Sequence, residues 1–369
     1  MADIFNRVLA NLKENQQNRL KGNVNCIPWS LPRFSTVLPG VQKKRYYIVT
    51  ASSKVGKTKL ADYLFMYEPY FFYKQNPNKI KLKIFYFSLE LNKDEKIKAA
   101  ISHKLYRDTG KAISPERLDS VFEDYILDSQ TEDKIKSYDD FFKDFEEVVT
   151  FVDEVRNPFG IYKYMRDYAN NNGCYIDKYG EVIDHRLVDS GNIEHIKRID
   201  RYVPNDPDEY VIVLTDHVSL LTPENGKSLH ESMSTFSTDY CIKMRNRWGY
   251  TVVNIQQQSA EKEKQQFTFK GESIEDKLMP SQDGLADNKT IGRDCDVMIG
   301  LFAPHRYNIT KWEGFDVARL GDNFRELSII FNRRGNGNIS VPLYFNGAVD
   351  YFEELPKTMS NEDYKKYNC

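Results

Sequence analysis

Cysteine is scarce in this sequence, and its few cysteines are not spaced as metal ligands. The 369 residues include five cysteines, with no C-x-x-C pair and no histidine at ligand spacing beside them. This pattern disfavours a zinc site or a disulfide framework, and it fits a reducing compartment. The five are scattered along the chain at Cys26, Cys174, Cys241, Cys295 and Cys369.

Long apolar runs and a strong net charge are also missing. No run approaches the roughly 18 apolar residues of a membrane span, and residues 1–22 carry charges throughout, unlike a signal peptide. We therefore expect a soluble, cytoplasmic protein without membrane contact. The net charge of −2 provides no general basic field for nucleic acid, so such a surface would be a local patch.

The sequence does contain a phosphate-binding pattern in residues 50–60, TASSKVGKTKL, directly after the apolar run 46–49. This order predicts a strand, a tight loop and a helix, whose backbone N–H groups would surround phosphates. Lys57 would reach the β- and γ-phosphates of ATP, and the Thr58 hydroxyl would hold Mg²⁺. A chance Gly-Lys-Thr in a surface loop is the alternative, which the flanking strand and helix disfavour. The candidate cofactor-binding residues are Ala51 (where the pattern usually has glycine), Ser52, Ser53, Lys54, Val55, Gly56, Lys57 and Thr58.

Alternating strand and helix patterns continue through most of the chain. They predict an α/β fold with a parallel core sheet flanked by helices, and a closing β-hairpin at Asn346-Gly347. Predicted strands cover 45–50, 81–87, 149–152, 210–214, 250–255, 295–302, 325–331, 339–345 and 348–353. Predicted helices cover 57–67, 92–106, 114–127, 136–149, 158–169 and 229–247.

Three segments stand apart from this core, which we place at residues 23–355. Residues 1–22 contain an amphipathic helix at 3–20, which would bury its apolar stripe on its own domain or on a neighbour. Residues 170–208 mix turn residues with short strand-like pieces and one helix, which indicates an insertion. Residues 356–369 form a polar tail that we expect to be frayed.

Polar residues follow three of the predicted strands at their carboxyl ends, namely Glu90, Asp216 and Gln257. Because parallel strands end at one edge of a sheet, these residues should meet the phosphate loop there. Glu90 would be the base that orients or deprotonates the attacking water, Asp216 would support Mg²⁺, and Gln257 would sense the γ-phosphate. Each has a structural alternative, such as Asp216 capping the next turn. Together they predict NTP hydrolysis.

This order of motifs resembles the RecA-like ATPase domain of the DnaB-like replicative helicase family. The resemblance implies a RecA-like P-loop NTPase that forms a hexameric ring with ATP and Mg²⁺ between subunits. It also implies a helicase that translocates on single-stranded DNA at replication forks, with primase or a loader as partner. The matching stretches are Phe87–Glu90 (FSLE), residues 210–217, Ile27-Pro28 with Leu38–Gly40, Lys289–Asp296, Ile329–Gly335 and the closing YFNGAVDYF, within about residues 26–353.

The resemblance further assigns an arginine finger to the basic turn after the strand at 325–331. Arg333 would reach the neighbour's nucleotide and stabilise charge on the transferring phosphoryl group, with Arg334 as the second candidate. A solvated arginine in a turn is the alternative. The family usually has a lysine two residues before this arginine, and this sequence has Phe331 there.

The family's N-terminal helicase domain has no counterpart here, which points to a phage or mobile-element form acting in the bacterial cytoplasm. By resemblance, the helix at 3–20 corresponds to the linker helix that packs on the adjacent subunit. DNA contacts are expected from the loop at 259–290; its acidic residues nearly cancel its lysines, so a solvated loop is the alternative. The candidate DNA-binding residues are Lys262, Lys264, Lys270, Lys277 and Lys289.

Two other functions fit parts of the same pattern. A RecA- or KaiC-like ATPase in recombination, regulation or defence would keep the nucleotide site without unwinding DNA. A non-hydrolysing NTP-binding scaffold would not need the base and the lysine that Glu90 and Lys57 provide, so their presence disfavours it.

Overall fold

The structure, a computed structural model, describes residues 2–22, 24–191, 193–259, 268–269, 272–273, 278–337 and 339–367. None of the helices in these ranges combines the length and the apolar character that a membrane crossing requires. The strands, in chain order, are β1 (Tyr46–Ala51), β2 (Lys81–Ser88), β3 (Val149–Val152), β4 (Gly173–Asp177), β5 (Val182–Ile183), β6 (Ile199–Pro204), β7 (Glu209–Asp216), β8 (Thr251–Gln257), β9 (Thr268–Phe269), β10 (Glu272–Ser273), β11 (Val297–Phe302), β12 (Lys311–Trp312), β13 (Phe315–Asp316), β14 (Phe324–Asn332), β15 (Ile339–Asn346) and β16 (Tyr351–Glu354).

A nine-stranded sheet forms the centre of the molecule, in the spatial order β16-β15-β14-β11-β1-β8-β7-β2-β3. The strands from β11 to β3 run parallel to one another, and β14, β15 and β16 continue the sheet in antiparallel fashion. The predicted α/β fold with a parallel core and a closing hairpin is therefore confirmed. The carboxyl ends of β1, β2, β7 and β8 lie at one edge of the sheet, which we call the phosphate edge.

The helices cover both faces of this sheet, so the central strands are buried on both sides. Tyr47 and Val49 of β1 join a core on one face, and Tyr46 and Ile48 join a second core on the other. The helices are Ala2–Leu20, Pro32–Ser35, Lys57–Asp62, Glu68–Gln75, Lys93–Thr109, Pro115–Leu118, Ser129–Lys136, Asp139–Val148, Pro158–Asn171, His185–Asp189, Ile193–Arg198, Leu229–Thr235, Val317–Leu320 and Asn361–Tyr367, with π-helical turns at Tyr63–Tyr67, Phe236–Cys241 and Met244–Trp248.

The predicted helix at 114–127 is wrong over most of its length, because only Pro115–Leu118 is helical. Ser120 takes a left-handed φ of 51°, which ends the helix. The apolar residues that suggested a continued helix, Val121, Phe122 and Ile126, are exposed and form no buried stripe. Helix formation in proteins depends on packing an apolar face, which this segment lacks.

The segment expected to be an insertion, residues 170–208, contains a small antiparallel sheet, and we keep the name insertion for it. Its strands β5, β4 and β6 pair in an antiparallel fashion, with two short helices between β5 and β6. Tyr175 of β4 is buried, and its hydroxyl accepts a hydrogen bond from Trp248 Nε1 at 2.9 Å. This contact joins the insertion to the main core.

Residues 356–367 of the polar tail are ordered, so the expectation of a frayed tail is wrong there, and residues 368–369 lie outside the described residues. The helix Asn361–Tyr367 places Tyr364 and Tyr367 against the third hydrophobic cluster of the protein, where both are buried. The Tyr364 hydroxyl accepts from the backbone N–H of Asp316 at 2.8 Å, and the Tyr367 hydroxyl lies 3.0 Å from Glu353 Oε1. Aromatic side chains therefore hold an otherwise charged segment in place.

The predicted N-terminal helix is confirmed as Ala2–Leu20. Its apolar residues Ile4, Phe5 and Leu12 are 59–64 % exposed, so they are not buried on the chain that carries them. One contact reaches the insertion, where Arg7 Nη1 lies 2.9 Å from Asp200 Oδ2. This ion pair links the helix to the insertion, and the apolar stripe of the helix stays exposed.

His103 is buried on the helix Lys93–Thr109 as a neutral side chain. Its ring stacks on Tyr67 with centroids 4.1 Å apart, and Nδ1 donates to the carbonyl oxygen of Val349 at 2.9 Å. Nε2 is buried without a partner in the described part of the chain, so a second N–H would have no acceptor there. Burial lowers the pKa of His103 to about 4.

We predict that mild acid destabilises the fold through His103. Since the folded pKa of about 4 lies below the unfolded value of about 6.5, the stabilisation is complete above pH 6.5 and is lost as the pH falls towards 4. The contribution of His103 to the free energy of unfolding should be about 2 kcal/mol smaller at pH 5 than at pH 7. Urea unfolding of the wild type and of His103→Gln at both pH values measures it.

The exposed His185 provides the matched control for this comparison. His185→Gln should keep the full pH dependence of the wild type, whereas His103→Gln should lose about 2 kcal/mol of it. Equal pH dependence in all three proteins would contradict the assignment of the acid sensitivity to His103.

Candidate nucleotide-binding site

The predicted strand, loop and helix around residues 50–60 are present. β1 ends at Ala51, and the next helix starts at Lys57. Between them Lys54 and Gly56 take left-handed φ values of 59° and 107°, which turn the backbone tightly. A Cβ atom on Gly56 would lie 3.1 Å from the ring of Phe345, so both the backbone conformation and the space favour glycine.

Side chains from later in the sequence hold the carbonyl groups of this loop. Arg325 is buried on β14, and its Nε donates to the carbonyl oxygen of Val55 at 2.8 Å. Arg306 donates to the carbonyl oxygen of Ser53. The loop shape is therefore supported by the protein itself. Arg325 was not among the predicted site residues. The sequence offers one signal for it, a charged residue at the start of an apolar strand.

Lys57 is a nearly buried cation that has no partner among the described residues. Its side chain is 8 % exposed, and it makes no hydrogen bond or ion pair with any residue that the structure describes. It stands at the start of a helix, where the partial positive charge of the helix adds to its own. A buried cation in this position requires an anion, so the loop fits a phosphate group.

Thr58 and Asp216 form the oxygen pair of a candidate Mg²⁺ site. The Thr58 hydroxyl donates to Asp216 Oδ1 at 3.0 Å, and Asp216 is fully buried at the end of β7. Hydroxyl and carboxylate oxygens suit Mg²⁺, which usually keeps several waters and phosphate oxygens as its other ligands. In keeping with such a shared site, no group of three or more acidic, histidine or cysteine ligands converges within the described ranges.

Glu90 lies beside this pair because β2 and β7 are neighbours. Ser88 pairs with Asp216 across the two strands, and the N–H of Leu89 donates to the carbonyl oxygen of Asp216 at 2.7 Å. The Glu90 side chain is 49 % exposed, so water reaches it, and Oε2 lies 3.9 Å from His217 Nε2. The sequence had assigned no role to His217.

His217 is a partly buried histidine next to the base candidate. Burial and the nearby Lys57 ammonium lower the pKa of His217, so the ring is neutral at pH 7. Its Nδ1 is buried without a partner among the described residues. A neutral ring beside Glu90 leaves the charge of that carboxylate in place.

Gln257 lies next to the start of the phosphate loop, because β8 pairs with β1 and Gln257 is opposite Ala51. Its neighbours in the sequence have structural roles: Gln256 is bonded to backbone carbonyls, and Gln258 donates to the Thr50 hydroxyl at 2.9 Å. The Gln257 side chain is partly exposed and makes no hydrogen bond within the described part of the chain. It is the glutamine of this run that a ligand can reach.

Arg333 lies at the sheet edge opposite the phosphate loop. β14 runs antiparallel to β11, with Asn332 opposite Val297 at the amino end of β11. The Arg333 guanidinium donates to the carbonyl oxygens of Arg293 and Cys295 at 2.6 and 3.0 Å. Arg333 is therefore bound to its own chain and not to its own phosphate loop.

Arg334 is the more available of the two arginines. It is exposed, and its side chain makes no hydrogen bond or ion pair with the residues that the structure describes. The ring of Phe331 lies 5.8 Å from the Arg333 guanidinium and makes a cation–π contact with it. Phe331 stands at the position where the family usually has a lysine, so it supports Arg333 and supplies no second cation. A cavity of about 550 Å³ beside these residues is lined by Lys44, Ile242, Arg245, Asn246, Arg293, Asp294, Asp296, Arg333 and Arg334.

Most of the predicted DNA-binding lysines lie outside the described residues, namely Lys262, Lys264, Lys270 and Lys277. Lys289 is described, and it is exposed on the segment that leads to β11. The DNA contacts of this loop therefore stay a prediction.

Comparisons with known proteins bear on the fold. No protein-family model matches the sequence, and no curated protein matches it. A solved structure described as "ATPase Domain of G40P" superposes with a TM-score of 0.65 at 18 % identity, over 95 % of this chain and 98 % of that chain. A second, described as "The Structure Of A DnaB-Like Replicative Helicase And Its Interactions With Primase", gives a TM-score of 0.64 at 17 % identity.

The second superposition covers 95 % of this chain and 66 % of that helicase, so the chain spans about two thirds of its length. Identities of 17–18 % establish a shared fold and leave the function to the residues of the site. The chain has the RecA-like fold of the ATPase domains of DnaB-like replicative helicases.

Proposed function

We propose that this protein is an ATP-hydrolysing DNA helicase of the DnaB-like type, which works as a hexameric ring on single-stranded DNA at replication forks. The observation that carries the proposal is the arrangement at the phosphate edge. There Lys57 has no partner among the described residues, the Thr58 hydroxyl bonds Asp216, and the exposed Glu90 lies next to His217, the residue after Asp216. This is the set of groups that phosphoryl transfer to water requires.

Each of these residues has a role that follows from its place. Lys57 binds the β- and γ-phosphates, and Thr58 with Asp216 holds the metal. When bound, Mg²⁺ supplies charge neutralisation between the phosphate oxygens. Glu90 orients and deprotonates the attacking water, since it is an exposed carboxylate at the rim of the site. Gln257 is placed to respond to the γ-phosphate.

The distance between the phosphate loop and the basic turn of the same chain supports the proposed oligomer. Arg325 touches the phosphate loop, and Arg333 follows it by eight residues along an extended strand. At about 3.3 Å per residue the two arginines are about 26 Å apart. A finger from Arg333 or Arg334 would therefore serve the nucleotide of another subunit.

The exposed apolar stripe of the helix Ala2–Leu20 supports the same conclusion. An amphipathic helix with Ile4, Phe5 and Leu12 in water is stabilised when a second surface covers them. We propose that this surface belongs to the adjacent subunit. The DnaB-like helicase of the comparison was solved with its interactions with primase, and we propose a primase or loader as a further partner here.

We predict that Lys57→Ala abolishes ATP hydrolysis and that Glu90→Gln keeps nucleotide binding while turnover falls about 10²–10⁴-fold, because the water loses its base. ATP turnover measures the loss of hydrolysis, and binding of a fluorescent ATP analogue measures nucleotide affinity. Glu95→Gln, on the following helix, is the matched control and should behave as wild type. Normal turnover in purified Glu90→Gln protein would sink the assignment of the base.

We predict that a subunit without the arginine finger lowers ATP turnover at the site of the neighbouring subunit. Wild-type subunits are mixed with Arg333→Ala or with Arg334→Ala subunits in increasing proportion, and ATP turnover is followed. For the arginine that acts as the finger, turnover should fall more steeply than the variant fraction rises, because each variant subunit disables the next site. A proportional fall with both variants would show that neither arginine acts between subunits.

The helicase itself is tested by a DNA-stimulated ATPase assay run beside a mass measurement, with and without nucleotide. We expect a closed hexamer whose ATP turnover rises with single-stranded DNA and which moves along it in one direction. A filament, or an ATPase that DNA does not stimulate and that unwinds nothing, would favour the RecA- or KaiC-like alternative.

A further inference from the structure

A buried lysine lies directly behind the proposed metal site. Lys96 is on the helix Lys93–Thr109, which follows Glu90, and its side chain is 1 % exposed. Its Nζ lies 3.0 Å from Asp62 Oδ2, 3.3 Å from Asp216 Oδ2 and 2.5 Å from the Tyr86 hydroxyl. We call these four residues the lysine cluster.

The lysine cluster joins segments that carry the proposed site residues, besides Tyr86 on β2. Asp62 follows Thr58 by one turn on the helix after the phosphate loop, so it shares that helix with Lys57. Asp216 ends β7. Lys96 itself comes from the helix that begins just after Glu90. One ammonium group therefore ties together the elements that carry the phosphate-binding lysine, the metal carboxylate and the base.

The two oxygens of Asp216 are divided between the metal site and the lysine cluster. Oδ1 accepts from Thr58 at 3.0 Å. Oδ2 accepts from Tyr86 at 3.0 Å and from Lys96 at 3.3 Å. With Oδ2 held from behind, the carboxylate cannot rotate without breaking both of these bonds, so Oδ1 stays directed at Thr58.

The charges of the lysine cluster also favour this arrangement. Two carboxylates buried together repel each other, and Lys96 is the cation that touches both. Asp350, the next carboxylate nearby, is already paired with Lys59 at 2.6 Å.

We propose that Lys96 is a positioning residue for the Mg²⁺ site: anchored by Asp62, it fixes the Asp216 carboxylate so that Asp216 and Thr58 present their oxygens to the metal. The inference rests on the proposed nucleotide hydrolysis at this edge. It gives the helix after Glu90 a role in metal binding through the Asp216 carboxylate.

The test separates metal binding from folding. Lys96→Met keeps the side-chain length but leaves two buried carboxylates without a cation. The double variant Lys96→Met/Asp62→Asn removes the charge of Asp62 as well. If the repulsion of two buried carboxylates is what destabilises Lys96→Met, the double variant should fold. Lys98→Met, two residues on and paired with Asp119 at 2.6 Å near the surface, is the matched control.

The measured quantity is Mn²⁺ affinity, read by electron paramagnetic resonance in the presence of a non-hydrolysable ATP analogue, with thermal unfolding as the check on folding. In the double variant we expect Mn²⁺ affinity to fall about 10–100-fold, the usual effect of removing a group that orients a metal ligand. Affinity for the analogue without metal should stay within about twofold, because Lys57 and the loop are unchanged. Lys98→Met should match the wild type in all three measurements.

Mn²⁺ affinity equal to the wild type in a folded double variant would overturn the role of Lys96 and leave the proposed hydrolysis standing. Full recovery of Mn²⁺ affinity on going from Lys96→Met to the double variant would also overturn it, since Lys96 would then serve only to neutralise Asp62. A wild-type protein that binds neither Mn²⁺ nor the analogue would overturn the proposed function together with this inference.

Discussion

The hydrogen bond between the Thr58 hydroxyl and the buried Asp216 carboxylate joins two parts of the chain that are 158 residues apart in sequence. It forms because β1 and β7 run parallel on either side of β8, so that their carboxyl ends meet at one edge. The parallel sheet thus brings the phosphate loop, the base candidate Glu90 and Gln257 to the same place. Lys96 and Tyr86 hold the carboxylate from behind, and a carboxylate without such support would be costly to bury.

The opposite edge of the sheet carries the second half of the proposed site. β14 is the physical connection between the two edges. At its start Arg325 bonds the carbonyl oxygen of Val55 in the phosphate loop, and just after its end stand Arg333 and Arg334. The strand therefore links the phosphate loop to the basic turn through continuous backbone. In a ring, such a connection would couple the nucleotide of one subunit to the site of the next.

The sequence was informative where local patterns and burial agree. Continuous apolar runs such as residues 46–49 predicted the parallel strands, because strands buried on both faces need no polar alternation. The phosphate loop was predictable because its backbone turns demand particular residues, of which Gly56 is the clearest. The arrangement of Glu90, Asp216 and Gln257 followed from strand order alone.

Other features depend on contacts between distant residues, which a local pattern does not contain. The helix expected at 114–127 is short because the apolar residues in its second half are mostly exposed and form no buried stripe. The tail was expected to fray, yet Tyr364 and Tyr367 bury themselves against the core. Lys96 reads as one charge among many on an amphipathic helix. Its burial depends on Asp62 and Asp216, which come from other elements.

The central claim is that one subunit supplies the phosphate loop and the metal pair while its neighbour supplies the arginine. An experimental structure of the assembled protein with Mg²⁺ and a non-hydrolysable ATP analogue tests it most directly. We expect Mg²⁺ at about 2.0–2.1 Å from Thr58 Oγ1, with Arg333 or Arg334 of the next subunit on the γ-phosphate. Nucleotide bound away from Lys57, or a γ-phosphate that no arginine of a neighbouring subunit contacts, would contradict it.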